Sequence, residues 1–161
     1  IEEFNATQPL IIRKTGNLPL YYSYSENFWN PNPDPKKGAF EITTRFEENN
    51  GNLLKAGTEV ALMVEVRVKE DASFVMINVP IPGGCSYGKK SNRSNWETHR
   101  EYFLEETAIF CENLPKGNHT FRISLEPRFT GTYTLNPAKI EMMYFPTINA
   151  NEGLKKVRIE D

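Results

Sequence analysis

Apolar side chains alternate with polar ones along much of this chain, and this period of two constrains its fold most. In residues 60–68 every second residue is valine or leucine, and residues 20–24, 40–46, 121–125 and 140–144 alternate in the same way. Successive side chains of a strand point to opposite faces, so the pattern predicts strands with one buried and one wet face. Residues 74–79 are apolar except for Asn78, which predicts a central strand buried on both faces.

Turn-forming residues separate these runs at short intervals, at 49–52, 82–84, 130–132 and 151–153. The one segment with the length for a helix, residues 96–114, is β-branched and aromatic at 107–111, which favours a hairpin turning at Glu105 and Glu106. A short helix there stays open. We therefore predict an all-β, antiparallel, immunoglobulin-like β-sandwich with at most one short helix.

A proline-rich break without periodicity begins at Glu26 and reads ENFWNPNPDPKKG. Proline removes strand hydrogen bonds and keeps the preceding residue extended, so we interpret residues 26–37 as a linker. We expect two strands before it, at about 10–14 and 18–25, and a complete sandwich at 38–161. Twenty-five residues are too few for a core of their own. We therefore expect residues 1–25 to be the end of a preceding domain.

The charge balance and the apolar runs exclude two classes of partner. Lys and Arg number 19 against 21 Asp and Glu, a net charge of −2, which argues against nucleic acid as a partner. The longest purely apolar run, residues 60–64, is far shorter than the ~20 residues of a membrane helix. The chain begins with Ile1 and carries no recognisable signal peptide, so we expect a processed or excised piece of a longer protein.

Catalytic motifs are scarce in this sequence. It contains neither the Gly-x-Ser-x-Gly elbow of hydrolases nor a Walker phosphate loop. His99 lies between Glu97 and Glu101, and on a strand these three side chains would share a face. A metal-dependent hydrolase centred on His99 is one hypothesis, and a solvated strand edge is the favoured interpretation. His119 follows a turn, and we expect it at the surface.

Two cysteines, Cys85 and Cys111, are too few for a disulfide framework or a cysteine-based metal site. A single disulfide between them would close a loop of about 26 residues and add roughly 3 kcal/mol of stability. Cys111 lies in an apolar run, where a free buried thiol is common. The pattern leaves both alternatives open.

Aromatic residues gather just before the proline-rich break. This group of candidate interface residues consists of Tyr21, Tyr24, Phe28 and Trp29. Such rings stack on sugars, which suggests an independent carbohydrate-binding or adhesion module. Packing in a core or against a neighbouring domain explains the same residues, and we favour it.

Five segments of residues 38–161, taken in order, resemble the last macroglobulin domain of bacterial alpha-2-macroglobulins. The first, Val-Met-Ile-Asn-Val-Pro-Ile-Pro-Gly-Gly-Cys, is similar to that family's strand followed by Pro-Leu-Pro-Ala-Gly. The others resemble its Arg-Glu hairpin, its Leu-x-x-Gly turn, its Thr-Pro-Gly-Thr-Phe segment and its closing Pro-Ala … Glu-Met-Tyr … Pro signature. They occupy residues 100–106, 114–121, 130–138 and 140–146. Residues 16–23 also resemble the last strand of the CUB-type domain that precedes this domain.

This resemblance implies a macroglobulin-like sandwich that serves as a structural and interaction domain of a broad-spectrum protease trap in the bacterial envelope. The implied partners are neighbouring domains of the same parent chain, with target proteases involved only indirectly. The implied location is periplasmic, secreted, or lipid-anchored through the parent. Many family members capture protease through a cysteine–glutamine thioester, but the only glutamine here, Gln8, precedes both cysteines. We therefore expect no thioester, no cofactor and no catalysis in this segment.

Overall fold

The computed structural model describes residues 11–23, 30, 32–47, 52–90 and 94–161, and its contacts divide the chain into two units. In the first, Ile1–Asn30, residues 11–23 form no strand and their apolar side chains are exposed. The strands expected at 10–14 and 18–25 are therefore wrong for their described parts, 11–14 and 18–23. Without a neighbouring strand, extended backbone has no partner for its N–H and C=O groups, so alternation alone does not produce a strand.

The described residues of the second unit, Pro31–Asp161, form twelve strands and no helix. The strands are β1 (Phe40–Phe46), β2 (Leu53–Lys55), β3 (Val60–Val68), β4 (Ala72–Pro80), β5 (Cys85–Tyr87), β6 (His99–Tyr102), β7 (Glu106–Leu114), β8 (Gly117–Pro127), β9 (Gly131–Leu135), β10 (Lys139–Met142), β11 (Phe145–Asn151) and β12 (Lys155–Glu160). Within the described ranges, no helix has the length and apolar character needed to cross a lipid bilayer.

Two antiparallel sheets form the sandwich. The four-stranded sheet has the order β1-β3-β8-β5, and the five-stranded sheet has the order β11-β10-β4-β7-β6. A small third sheet, β2-β12-β9, contains the parallel pair β2 and β12. The predicted all-β antiparallel sandwich is confirmed. The segment left open for a short helix is the β6–β7 hairpin, since its β-branched residues pair with β4.

The core lies between the two large sheets and follows the alternation of the sequence. Inward-facing side chains of β3 and β4 are fully buried, and they join those of β7 and β8 in one apolar cluster. The largest members include Leu62, Ile77, Ile109, Phe121 and Ile123. Each such side chain contributes about 1.5–3 kcal/mol on burial. This shared layer fixes which face of each strand points outward.

Strand β10 is shorter than the alternation predicts. The expected strand at 140–144 ends at Met142, and Met143 and Tyr144 form a turn into β11. Pairing between β10 and β11 shifts register between Glu141 and Met142, so the ladder breaks before the apolar pattern does. Met143 and Tyr144 therefore lie in the turn, outside the paired strands.

The second unit begins earlier than the predicted sandwich. Lys36 and Asn151 exchange two backbone hydrogen bonds, of 2.9 and 3.0 Å, and the Asn151 side-chain amide donates to the carbonyl of Asp34 at 3.0 Å. Residues 32–37, predicted as the end of the linker, thus belong to the second unit. Residues 26–29 and 31 of that linker lie outside the described part of the chain.

The turn after β4 passes beneath a tyrosine ring of β9. A Cβ atom placed on Gly84 would lie 2.4 Å from a ring carbon of Tyr133 and 2.8 Å from the Cδ1 of Ile159. The neighbouring Gly83 has more room, since its nearest such contact is a Tyr133 carbon at 3.8 Å. The two glycines of the Pro-Ile-Pro-Gly-Gly segment therefore differ: a side chain at position 84 would clash with its neighbours, whereas position 83 has room for one.

Gly84→Ala should lower the free energy of unfolding by about 1–3 kcal/mol, because the added methyl group overpacks the Tyr133 and Ile159 side chains. Urea denaturation followed by tryptophan fluorescence measures the change. Gly83→Ala is the matched control and should cost less than about 0.5 kcal/mol. Equal stabilities for the two variants would show that the Tyr133 ring moves aside and that the close approach is not required.

Candidate functional site

Four exposed apolar side chains gather where β4 meets the β10–β11 turn. We call them the docking face: Phe74 of β4, Met143 and Tyr144 of the turn, and Phe145 at the start of β11. Their exposed fractions are 44%, 43%, 70% and 61%. The Phe74 and Tyr144 rings meet edge to face, with centroids 5.2 Å apart. Several exposed apolar side chains in one place are typical of an interaction site.

The outer face of the four-stranded sheet has the opposite character. It carries surface ion pairs, among them Arg45 of β1 with Glu65 of β3 at 2.7 Å, and Arg122 of β8 with Glu47, which follows β1, at 2.9 Å. These pairs are about half exposed, and such surface pairs add little stability but keep a face hydrated. The docking face therefore differs from the hydrated outer surface of this sheet, and it is the candidate interaction surface.

A buried ion pair joins the two large sheets at the β6 end. The Arg100 guanidinium donates two hydrogen bonds to the Glu97 carboxylate, at 2.8 and 2.5 Å, and both side chains are almost completely buried. Arg100 also donates to the Arg122 carbonyl of β8 at 2.7 Å. Burial opposes the charge of Arg100, but the hydrogen bonds to Glu97 and Tyr102 outweigh it and raise its pKa. The arginine of the family-like Arg-Glu hairpin thus has a structural role.

A second buried carboxylate joins β1 to the turn between β11 and β12. Glu152 accepts hydrogen bonds from the Thr44 backbone N–H at 2.7 Å and from its hydroxyl at 2.6 Å. The Lys155 ammonium lies 2.6 Å from the same carboxylate and donates to the Thr44 carbonyl at 2.5 Å. The Glu152 carboxylate is therefore bound by Thr44 and Lys155, and these contacts give this acid a structural role.

The hypothesis of a metal site at His99 placed three side chains on one face, and that geometry is wrong. Glu97 precedes β6, points inward and pairs with Arg100. His99 contacts Glu101 at 3.1 Å and lies against the Phe110 ring, on the exposed side of the sheet. Strand alternation applies only inside a strand, and β6 begins at His99 itself. Among the described residues no group of three His, Cys, Asp or Glu side chains is placed to hold a metal ion.

His119 is buried, which corrects the expectation of a surface position. Its Nε2 lies 2.7 Å from the Pro115 carbonyl, and its ring meets Trp96 edge to face with centroids 5.4 Å apart. The residue belongs to the inward-facing set of β8, where it pairs with Val66 of β3. The preceding turn suggested exposure, but the inward position at this end of β8 determines its burial.

In the structure Cys85 and Cys111 are free thiols, and the disulfide that the sequence left open stays a prediction. Cys85 lies on β5 of the four-stranded sheet and Cys111 on β7 of the five-stranded sheet. Burial raises the pKa of each thiol to about 12. Both are therefore protonated at neutral pH and poorly suited to nucleophilic chemistry.

The candidate interface aromatics of the first unit are only partly described. Tyr21 is highly exposed, and Tyr24, Phe28 and Trp29 lie outside the described residues. The carbohydrate-binding alternative that rested on them stays a prediction.

The docking face was missed by sequence reasoning. Its available signal was four consecutive apolar residues, 142–145, where a turn between strands is normally polar.

Residues 36–147 match the family model of the bacterial alpha-2-macroglobulin MG10 domain, which is well over half of the chain. The chain belongs to this family. The predicted resemblance is confirmed, and all five quoted segments fall within the matched range. No match is found among curated proteins.

Solved structures of bacterial alpha-2-macroglobulins share the fold of this MG10 family member. Native Escherichia coli alpha-2-macroglobulin, spanning domain MG7 to the C-terminus, has a TM-score of 0.70 at 14% identity, covering 80% of this chain and 24% of that one. A point mutant of the Salmonella protein gives 0.68 at 17% identity, covering 80% and 10%. Trypsin-activated alpha-2-macroglobulin from Escherichia coli gives 0.69 at 14%, covering 80% and 11%. The chain thus spans a quarter or less of these structures.

Arg100→Met should lower the free energy of unfolding by about 3–5 kcal/mol, because it leaves the Glu97 carboxylate buried without its counter-charge. Chemical denaturation measures the loss. Arg45→Met, which breaks an exposed pair, is the control and should cost less than about 1 kcal/mol. The double variant Arg100→Met/Glu97→Leu should recover much of the loss. Similar losses for the two single variants would contradict the structural role of the buried pair.

Iodoacetamide should label neither cysteine readily in the folded chain at pH 8, since a pKa of about 12 leaves very little thiolate at either site. We expect labelling at least about 100-fold slower than in the urea-unfolded chain. Mass spectrometry of the unfolded, unreduced chain should then show two labels. A chain that takes up no label until it is reduced would establish a disulfide instead.

Proposed function

We propose that this chain is the C-terminal structural and interaction domain, with the end of a preceding CUB-like domain, of a bacterial alpha-2-macroglobulin-like broad-spectrum protease inhibitor. Membership of the MG10 family supports this role. The matched structures, one of them trypsin-activated, extend far beyond the aligned region. The single observation that carries the proposal is the docking face, four exposed apolar side chains on a domain whose two large sheets otherwise carry ion pairs at their surfaces.

The occupant of the docking face is another domain of the same parent chain. The aligned region makes up only 10–24% of the Escherichia coli and Salmonella chains, so a parent of that size has many other domain surfaces. A linked domain reaches a high effective concentration, so a small apolar contact holds it where a separate protein of equal contact area would dissociate. The apolar character of the docking face fits such an intramolecular contact.

The role is non-catalytic. The buried acids Glu97 and Glu152 are occupied by Arg100, Thr44 and Lys155, and the two thiols are protonated at neutral pH. The position of Gln8 before both cysteines also argues against a thioester within this segment. Target proteases are therefore contacted only indirectly, through the parent. The parent works in the cell envelope or is secreted from it, a location inferred from the family alone.

In the parent protein, backbone amides of residues 139–148 should exchange with deuterium at least about tenfold more slowly than in the isolated 161-residue chain, because the docking face is covered. Tyr144→Ala should abolish that protection, since a central buried aromatic typically contributes 2 kcal/mol or more to a contact. Hydrogen–deuterium exchange with mass spectrometry measures both. Phe129→Ala removes an exposed ring outside the docking face and is the matched control, with no change expected.

Four outcomes would overturn this function. Equal exchange in the parent and the isolated chain would leave the docking face uncovered. Self-association of the isolated chain that Tyr144→Ala abolishes would make a second copy the occupant, and flotation with anionic vesicles would make a lipid surface the occupant. At the level of activity, a parent lacking residues 38–161 that still inhibits proteases normally would exclude the structural role.

A further inference from the structure

Phe74 holds a backbone conformation that its side chain disfavours. Its φ is +54°, and among the described residues the only other non-glycine residue with positive φ is Asn52. Asparagine adopts this left-handed region readily, whereas for a bulky residue it is an outlier. Phe74 lies inside β4, between Ser73, which pairs with Asn113, and Val75, which pairs with Cys111. A strained residue inside a paired strand needs a compensating contact.

The irregular pairing of β4 accounts for the backbone conformation at Phe74, but it does not account for an aromatic side chain at this position. Ala72 and Val75, on either side, are both buried, so the alternation of β4 shifts by one residue at this point. Cys111 and Leu114 of the paired strand β7 show the same spacing. Glycine would produce this irregularity without strain. The Phe74 ring is 44% exposed and so contributes less to the core than to the surface.

Two contacts connect Phe74 to the turn that carries the most exposed residue of the docking face. The Phe74 carbonyl accepts a hydrogen bond from the Met143 N–H at 2.8 Å, and the Phe74 ring meets Tyr144 edge to face. The backbone contact fixes where the turn lies, and the ring contact restricts the orientation of Tyr144. Restricting a side chain before binding reduces the entropy lost on binding.

We propose that Phe74 is a positioning residue, retained in a strained backbone because its ring holds Tyr144 in the orientation that the neighbouring domain binds. This inference rests on the proposed docking function of the face. On this inference, the strained backbone at Phe74 serves binding of the neighbouring domain and does not stabilise the fold. It therefore predicts that removing the ring weakens docking without weakening the fold.

Phe74→Gly separates the two effects, because glycine relieves the strain and keeps the carbonyl that accepts from Met143. In the 161-residue chain its melting temperature should equal or exceed that of the native sequence. In the parent, deuterium exchange over residues 139–148 should become at least fivefold faster, approaching the rate with Tyr144→Ala. Phe74→Tyr keeps an aromatic ring at the same position and should retain protection within twofold.

The outcomes distinguish this inference from the proposed function. If Tyr144→Ala leaves exchange in the parent unchanged, the docking function is wrong and the inference fails with it. If Tyr144→Ala removes protection but Phe74→Gly does not, docking stands and the positioning role is wrong. A clearly lower melting temperature of the Phe74→Gly chain would show that the Phe74 ring stabilises the fold. That result also overturns the inference.

Discussion

One apolar layer excludes water between the two large sheets, and the rest of the fold depends on it. Its members include the inward-facing residues of two central strands: Leu62, Val64 and Val66 of β3, and Val75, Ile77 and Val79 of β4. Because side chains alternate along a strand, burying one set commits the other set to the outside. The hydrated ion pairs on the outside of the four-stranded sheet are a consequence of that alternation, whereas the exposed rings of the docking face lie where the alternation is interrupted, at Phe74 and in the β10–β11 turn. Residues on the outer faces contribute little to folding, so their character is free to serve interaction.

Apolar burial has little directional preference, and buried polar contacts specify how the sheets are joined. Arg100 reaches from β6 to the Arg122 carbonyl of β8, so it ties the five-stranded sheet to the four-stranded one. Glu152 performs a similar task near β1. Charged groups are costly to bury, and here each is compensated by several hydrogen bonds. These contacts require the two sheets to meet in one arrangement, and so they set the position of the docking face relative to the rest of the domain.

The sequence was sufficient for the strands of the sandwich because burial of one face imposes a period of two that can be counted. Strand β3 was predicted at its observed bounds, 60–68, for this reason. The same rule failed at residues 11–23, where no neighbouring strand is present, and at Tyr144, where the ladder breaks before the pattern ends.

Features that depend on contacts distant in sequence were not predictable. Glu97 appeared to accompany His99 and Glu101, but a turn outside the strand directs it to Arg100. The positive φ of Phe74 has no signature, since sequence statistics favour glycine or asparagine at such positions. The docking face therefore emerges from the folded structure, which brings Phe74 to Met143, Tyr144 and Phe145; only these last three residues lie within a segment that the family resemblance had identified.

The contacts of Glu152 also determine how β1 behaves as the outermost strand of its sheet. The Thr44 N–H and C=O that point away from β3 are occupied by the Glu152 carboxylate and the Lys155 ammonium. On the other sheet, Lys36 occupies the free side of β11 at Asn151. Open strand edges invite strand exchange and aggregation. Two charged side chains and one backbone bridge thus help to close the edges of this domain against strand exchange.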